Sequence, residues 1–318
     1  MTARPFTTTR RESVAAHGEL RLIELIRRWL GDASPRSPFG IGDDCAVIPP
    51  TKNQQLVTTD PVIHGQHFDD TVPPRAVGAK LLKRNLSDIA AMGGRPVAAV
   101  VSLALAPDTR IAWLRGFYLG LADCARRYGV KIVGGDITQG PKGFFGAFLT
   151  LHGESTGRRV VTRSGALEQD TIFVTGRLGG SRAQHHYKFT PRLAEGAWLA
   201  RQPEVVAMMD VSDGVAKDIR SLTPEGLVAS IWPPQIPVSA AARVAARRSG
   251  QPAWVHALTD GEDYELLFVV SRKVNEGEFT QRWFQHFKTP LQPIGHFARK
   301  VAPEHVNWAK LHGYEHLR

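Results

Sequence analysis

The sequence is poor in cysteine, and it lacks any apolar run long enough to cross a bilayer. Only two of its 318 residues are cysteines, Cys45 and Cys124, and their separation fits neither a disulfide framework nor a zinc site. A membrane-spanning helix needs about 20 consecutive apolar residues, and the sequence has none. We therefore expect a cytoplasmic protein with no membrane partner and with both cysteines in the core.

The start of the chain lacks the apolar segment that defines a secretory signal peptide. Residues 1–17 are rich in Thr and Arg instead, which predicts a flexible N-terminal extension. The remaining length, with 42% hydrophobic residues overall, is enough for two ordinary domains. The turn ESTGR places the boundary between a domain at 18–154 and a second domain at 155–318.

The positive charge is not concentrated in one stretch of the chain. The net charge is +10, but the arginines occur as scattered pairs, such as Arg27 with Arg28 and Arg126 with Arg127. No basic stripe is interleaved with aromatic residues, so we expect no nucleic-acid partner. An anionic small substrate suits the charge equally well. A non-catalytic basic binding protein is the alternative that the charge alone leaves open.

Periodic apolar residues predict alternating helices and strands. Helical spacing is present in 18–31, 75–92 and 111–129, and continuously apolar strands are expected at 96–106 and 130–136. Further strands are expected at QQLVTTD, 144–154, TIFVT and YELLFVV, and further helices around AEGAWLA and after DVSDG. The pattern is typical of the α/β (α+β) class.

Aspartates follow many of these predicted strands and turns. In open α/β sheets, ligands bind at the carboxyl ends of strands. Converging carboxylates repel one another and lose hydration, and divalent cations relieve both costs. Because oxygen ligands without a His or Cys cluster favour Mg²⁺, which commonly also holds phosphates, phosphoryl transfer is the chemistry to test. The acids concerned are Asp43, Asp44, Asp60, Asp88, Asp136, Asp210 and Asp213.

Each of these aspartates also has an ordinary structural interpretation. Asp commonly serves turns and helix caps, and Asp88 follows Arg84 by four residues, as in a helix ion pair. The familiar phosphate motifs are absent as well. GDITQGPK (135–142) resembles a P-loop but has Pro141 where the lysine belongs, and no HRD or DFG signature occurs. Any nucleotide enzyme here belongs to another lineage.

Seven motifs in order resemble the thiamine-monophosphate kinase family, which belongs to the superfamily of aminoimidazole ribonucleotide synthetase. They are GIGDDCAVI (40–48), TTDPVIHGQHF (58–68), KRNLSDIAAMGG (83–94), KIVGGDIT (131–138), TRSGA (162–166), DVSDG (210–214) and GEDYELLF (261–268). The resemblance implies direct transfer of the ATP γ-phosphoryl group to thiamine monophosphate, with several Mg²⁺ ions. It also implies a two-domain fold and a homodimer whose N-terminal halves pair into a shared β-barrel.

The resemblance assigns roles to individual positions. It implies metal binding by Asp44, Thr58, Thr59, Asp60, Asp88, Asp136, Asp210 and Asp213. It implies contacts with ATP by Gly135, Asp136, Arg163 and Ser212, and contacts with the thiamine substrate by His67, Glu262 and Tyr314. No catalytic base is expected, because the attacking phosphate oxygen is already deprotonated near neutral pH.

The chain departs from the family pattern at three places. Ile137 stands where Thr is usual, Asp260 stands where Gly is common, and the segment 176–192 is shorter than in the family. The shortened segment carries His185 and His186, which we expect to lie in a surface loop. A sister enzyme of the same superfamily is the alternative. Selenophosphate synthetase and the hydrogenase-maturation relative would each need a terminal cysteine, and the sequence has neither.

The adjacent acids of GIGDDCAVI need not share a role. In an extended segment, neighbouring side chains point to opposite faces. We expect Asp44 to bind metal and Asp43 to support the turn or to pair with a basic neighbour.

Overall fold

The computed structural model describes residues 4–36, 39–41, 48, 50, 52–157 and 159–315. The chain divides into two compact units, one of 1–89 with 95–154 and the other of 90–94 with 155–318. Both units contain a sheet and helices, so the predicted α/β class is confirmed.

The first half of the chain supplies three long helices and a mixed four-stranded sheet. The sheet order is β1-β4-β2-β3, with β1 antiparallel to β4 and β2 parallel to β3. The edge strands are therefore β1 and β3. The elements are α1 (Glu19–Leu30), β1 (Gln55–Ile63), α2 (Pro74–Ala91), β2 (Gly94–Leu105), α3 (Ile111–Tyr128), β3 (Lys131–Gln139) and β4 (Phe145–Ser155).

One face of this sheet is buried beneath aromatic side chains. Trp113 and Phe117 of α3 pack edge-to-face on Phe145 of β4, with ring centroids 4.7 and 5.5 Å apart. Helices α2 and α3 touch through their backbones, because a Cβ on Gly78 would come within 1.9 Å of the Phe117 carbonyl oxygen. Cys124 of α3 is buried too, as predicted, and desolvation raises the pKa of its thiol to about 12. Cys45 lies outside the described residues.

The opposite face of the same sheet exposes apolar side chains. Thr59 and Thr150 face each other there, with their hydroxyl oxygens 3.3 Å apart. Val57, two residues before Thr59, and Phe148, two residues before Thr150, are 68% and 39% exposed, and they lie on opposite sides of the threonine pair because the strands are antiparallel. Val100 of β2 is exposed between buried neighbours. This surface is called the open sheet face below.

Residues 4–17 are bound to the rest of the first unit, although the sequence predicted a flexible extension. The amide of Thr7 donates to the Asp108 carbonyl, and the amide of Val14 donates to the Thr109 carbonyl. Glu12 forms an ion pair with Arg110. This charge pair and the burial of Val14 explain the ordered contacts, and Thr-rich composition gave no sign of either.

The second unit is built on a five-stranded sheet of order β6-β8-β5-β9-β7, and all its assigned strand pairs are antiparallel. Buried apolar clusters cover both faces of this sheet. The elements are β5 (Thr171–Thr175), α4 (His185–Lys188), α5 (Leu193–Leu199), β6 (Val205–Asp210), α6 (Val215–Leu222), β7 (Val228–Ile231), α7 (Ala240–Ser249), α8 (Ala253–Thr259), β8 (Leu266–Val270), α9 (Glu276–His286) and β9 (Leu291–Ala298).

Among the helices in the described ranges, none combines the length and the apolarity that crossing a membrane requires.

Candidate functional site

Strand β1 and helix α2 bring four predicted or adjacent polar residues together. Thr58 and Asp60 lie two residues apart on β1, so their side chains share the face that α2 covers. The Thr58 hydroxyl donates to Asp88 Oδ2 at 2.5 Å, and Arg84 Nη2 lies 3.1 Å from Asp60 Oδ1. Arg84 and Asp88 are one helical turn apart on α2, so these two contacts between α2 and β1 lie next to each other.

Thr59 does not join this group. Its side chain points to the open sheet face, where it contacts Thr150. Of the three positions predicted as metal-binding on β1, only Thr58 and Asp60 therefore present side chains toward α2.

Gly135 and Asp136 lie on β3, at the opposite edge of the sheet from β1. Three strand spacings separate the edges, which is roughly 14 Å within one sheet. Gly135 is required for the close pairing of β3 with β2, because a Cβ there would come within 2.0 Å of the Val101 carbonyl oxygen. The first unit thus places Asp136 in a different part of the sheet from Asp60.

A mainly apolar cavity of about 320 Å³ borders Gly135 and Asp136. Helix α1 forms one wall and β3 the other, and the acidic group of Glu19 lies at the cavity as well. Its remaining walls include Ile23, Ile26, Leu30, Tyr118 and Ile132. A slot of this kind, apolar with a few polar groups, is typical of small-molecule sites.

His67 follows β1 and is fixed by two hydrogen bonds. The Ile63 amide donates to its Nδ1 at 3.1 Å, which places the proton of the neutral imidazole on Nε2. Lys80 Nζ donates to the His67 carbonyl oxygen at 2.7 Å. The imidazole ring of His67 therefore has a defined tautomer, and the backbone of this residue is held in place.

In the second unit, the DVSDG turn is bordered by the buried carboxyl groups of Asp210 and Asp218. Asp210 ends β6 and is only 4% exposed, and the turn leads directly into α6. Asp218 accepts the amide hydrogens of Ser212 at 3.0 Å and of Asp213 at 3.1 Å. Lys217 Nζ lies 2.5 Å from Asp213 Oδ2. The turn therefore holds three carboxylates with one ammonium partner.

Asp218 is the member of this cluster that sequence reasoning missed. Burial raises the pKa of its carboxyl to about 8, and the charges of Asp210 and Asp213 add to the effect. The raised pKa means that the ionised form of Asp218 is destabilised by burial and by the neighbouring negative charges. A cation bound at the turn would stabilise that ionised form. The only sequence signal was an acid in the first turn of the helix after DxSDG, where capping is the ordinary interpretation.

Two further predicted segments dock on the DVSDG turn. The Glu262 amide donates to the Ser212 carbonyl at 2.7 Å, and the Tyr264 amide donates to the Val211 carbonyl at 2.8 Å. The Tyr314 amide donates to the Asp213 carbonyl at 2.9 Å. Backbone hydrogen bonds thus bring together the predicted positions Ser212, Asp213, Glu262 and Tyr314.

The backbone of the GEDYE segment is unusual. Glu262 and Tyr264 have φ values of 53° and 52°, in the left-handed region that favours glycine. Two such residues so close together are rare, and strained backbone of this kind concentrates at functional sites. Between them, Asp263 is buried and accepts the Gly179 amide hydrogen at 2.7 Å.

His185 and His186 of the segment 176–192 do not lie in a surface loop, contrary to expectation. His185 and His186 begin α4, and His185 Nε2 lies 3.0 Å from the Asp263 carbonyl oxygen. One turn further along, Phe189 stacks on Tyr264 with ring centroids 4.0 Å apart. The aromatic and imidazole rings explain why a short polar segment packs against GEDYE.

One more predicted position, in the described part of the chain, lies apart from these clusters. Arg163 is exposed next to β6, where the Met208 amide donates to the Thr162 carbonyl at 2.8 Å. Asp44 lies outside the described residues, and so does Asp43.

The donor chemistry fits a hard divalent cation. The predicted metal residues that the structure describes offer carboxylate and hydroxyl oxygens, which is the set that Mg²⁺ prefers. Within the ranges that the structure describes, no three His, Cys, Asp or Glu side chains lie close enough together to hold an ion by themselves.

The fold and these acid-rich turns define a class of proteins related to AIR synthase. Residues 42–154 match the family model described as AIR synthase related protein, N-terminal domain. The thiamine-monophosphate kinase of Rhodopirellula baltica is 36% identical over 249 residues, which cover 74% of this chain and 77% of the relative. The thiamine-monophosphate kinase of Escherichia coli K12 is 32% identical over 311 residues, which cover 88% and 92%.

A solved structure agrees with these sequence relatives. AaThiL complexed with AMPPCP and TMP superimposes with a TM-score of 0.69 at 29% identity, covering 94% of this chain and 99% of that chain. The chain belongs to the thiamine-monophosphate kinase family, as the ordered motifs predicted.

Proposed function

We propose that this chain transfers the γ-phosphoryl group of ATP to thiamine monophosphate. A phosphate oxygen of thiamine monophosphate forms a bond to the γ-phosphorus as the bond to the β,γ-bridging oxygen breaks, which gives thiamine diphosphate and ADP. The observation that carries the proposal is the docking of the Glu262 and Tyr314 segments on the DVSDG turn. Family membership and the AaThiL complex with AMPPCP and TMP support it.

The thiamine moiety calls for a different set of contacts from the phosphates. Its thiazolium ring is cationic, so the carboxylate of Glu262 is suited to lie near it. The Tyr314 side chain is 47% exposed and offers an aromatic face to the same cation. We assign these two residues and His67, with its proton on Nε2, to substrate binding.

We propose nucleotide contacts in each of the two units. The cavity beside Gly135 and Asp136 has the apolar walls that a purine ring needs. Ser212 and the exposed guanidinium of Arg163 are assigned to the phosphates, to which Arg can donate two hydrogen bonds.

Several Mg²⁺ ions are proposed as partners of the carboxylates. When bound, they neutralise the charge of two anionic phosphates that must approach each other. The chain contributes oxygen ligands and holds them in place through Arg84, Lys217 and the backbone amides of the DVSDG turn. The proposed ligands are Asp44, Thr58, Thr59, Asp60, Asp88, Asp136, Asp210 and Asp213.

No general base is assigned. The attacking group is a phosphate oxygen that is already ionised near neutral pH, so the residues of the site need only position the partners and balance charge.

A homodimer through the open sheet face is proposed for the assembly. Exposed Val57, Val100 and Phe148 lie on it, and apolar patches of this kind mark protein interfaces. Among the described residues, β1 and β3 are the edge strands of the sheet, and edge strands can pair with another chain, as closure into a shared barrel would require. We propose that the dimer works in the cytoplasm without nucleic-acid or membrane partners.

A coupled assay for ADP, with thiamine monophosphate and Mg²⁺ present, tests the proposed function. Thiamine diphosphate should form in proportion to ADP, and Asp88→Asn should lower kcat by about a hundredfold or more. Asp70→Asn is the matched control, since Asp70 is an exposed acid of the same unit that pairs with Arg4 and His64. A folded wild-type protein that forms no thiamine diphosphate would refute the proposal.

A further inference from the structure

We propose that His186 is a positioning residue for the thiamine substrate, acting through the carboxylate of Glu262. His186 belongs to the shortened segment that distinguishes this chain, and no motif of the family includes it. The inference rests on the proposed function, because it assigns a role to Glu262 as the partner of a cationic ring.

One oxygen of the Glu262 carboxylate accepts a hydrogen bond, and the other lies within ion-pair distance of an imidazole. The Tyr264 hydroxyl donates to Oε1 at 3.3 Å, and His186 Nδ1 lies 3.8 Å from Oε2. Glu262 is 31% exposed at its side chain, so it remains accessible to a ligand while its orientation is constrained. A carboxylate fixed in this way loses less rotational freedom when it meets a cation than a mobile one would.

His186 is itself held in place by its surroundings. Its side chain is only 13% exposed, and its ring packs edge-to-face on Tyr187 with centroids 4.9 Å apart. The neighbouring His185 and Phe189 attach α4 to Asp263 and Tyr264. Residues 185–189 therefore pack along residues 262–264. Within this segment, His186 is the residue within ion-pair distance of the Glu262 carboxylate.

The glycine turn before α4 strengthens the same attachment. The Gly180 amide donates to Asp260 Oδ2 at 2.7 Å, and Asp260 is the residue that replaces a common glycine of the family. Two departures from the family pattern thus contact each other. A short segment that is tied at Asp260, Asp263 and Tyr264 can place His186 without the longer helical connection.

A pair of near-isosteric variants separates positioning from general structure. In His186→Asn, the side-chain amide can occupy the place of Nδ1, whereas in His186→Gln it occupies the place of Nε2. We expect His186→Gln to raise KM for thiamine monophosphate about tenfold, with kcat and the KM for ATP changed less than twofold. His186→Asn should stay within about threefold of wild type in the same KM.

A double-mutant cycle with Glu262→Gln tests whether His186 acts through that carboxylate. If it does, His186→Gln should add almost nothing to the KM of Glu262→Gln, because the two side chains form one interaction. Lys188→Leu is the control on the same short helix, since Lys188 is exposed, and its ammonium group bonds Gln184 and lies 6.0 Å from the centre of the Tyr187 ring. Its KM for thiamine monophosphate should match that of wild type.

Three results would overturn the inference while leaving the proposed function intact in an active wild-type enzyme. They are equal KM values for His186→Gln and wild type, equal losses in the Asn and Gln variants, and additive effects in the cycle. A wild-type protein that makes no thiamine diphosphate would remove the proposed function and this inference together. Thermal denaturation of each variant establishes that the comparison concerns folded protein.

Discussion

Asp263 is a buried carboxyl group with an incomplete set of hydrogen-bond partners. The Gly179 amide donates to its Oδ1, while Oδ2 has no partner among the described residues. Burial raises the pKa of this carboxyl well above its usual range, and the charges of Glu265 and Asp260 act in the same direction. The folded protein therefore keeps this proton to a higher pH than the unfolded chain does.

The sign of the resulting pH dependence follows from linkage. As pH rises above about 4, the unfolded state releases the Asp263 proton first, so the free energy of unfolding falls by up to about 1.4 kcal/mol per pH unit. Asp263→Asn removes this titration and keeps an acceptor for Gly179. Its advantage in Tm over wild type should grow from pH 5 to pH 8 in calorimetry. A difference that stays constant with pH would contradict the expectation.

Asp43 and Asp44 are predicted to differ although they are neighbours. The sequence predicts an extended segment at these positions, in which neighbouring side chains would point to opposite faces, and Asp44 is the proposed metal ligand. Asp44→Asn should therefore reduce kcat far more than Asp43→Asn, by a factor on the order of a hundred. Steady-state assays across a Mg²⁺ titration provide the measurement, and equal losses would show that both acids share one role.

The motifs in the sequence identified residues that the fold brings together, but they did not identify the residues that hold them in place. The resemblance gave Ser212, Asp213, Glu262 and Tyr314 separate roles, and backbone hydrogen bonds to one turn join them. Asp218 was missed because an acid in a first helical turn resembles an ordinary cap. The position of His186 depends on contacts between segments far apart in the chain, and no local pattern encodes such contacts.

At the scale of elements, the cavity between α1 and β3 is the proposed nucleotide site. Ile23→Trp should fill part of this cavity and raise the KM for ATP about tenfold, with little change in the KM for thiamine monophosphate. Leu20→Trp is the matched control, since Leu20 lies on the same helix and is 81% exposed. A rise in the KM values for both ATP and thiamine monophosphate would mean that the variant disturbs the fold. That result would contradict a cavity dedicated to the nucleotide.

Helices were easier to predict than the strands of the second unit. Helices α1, α2 and α3 followed from apolar spacing over three turns or more. Strand β9 was not predicted, because Pro293 and Gly295 interrupt its pattern. The sheet accommodates them through a register shift, in which Ile172 pairs with Gly295 and Phe173 pairs with Pro293. Irregular pairing of this kind is set by the neighbouring strand.

At the scale of the whole molecule, assembly through the open sheet face can be tested by charge. Phe148→Glu places a carboxylate on the face that also exposes Val57 and Val100, which should convert the proposed dimer to a monomer in light scattering. Phe284→Glu is the control, because Phe284 is 52% exposed on α9 of the second unit. Unchanged mass for Phe148→Glu would exclude this face as the interface.

The bound N-terminal residues have a practical consequence for producing the protein. Trimming the gene to begin at α1 would remove Glu12 and leave the guanidinium of Arg110 without that carboxylate. It would also expose the backbone carbonyls of Asp108 and Thr109 that Thr7 and Val14 now satisfy. Shortened versions should therefore express in poorer yield than the full chain, and an affinity tag is better placed before Met1 with its own spacer.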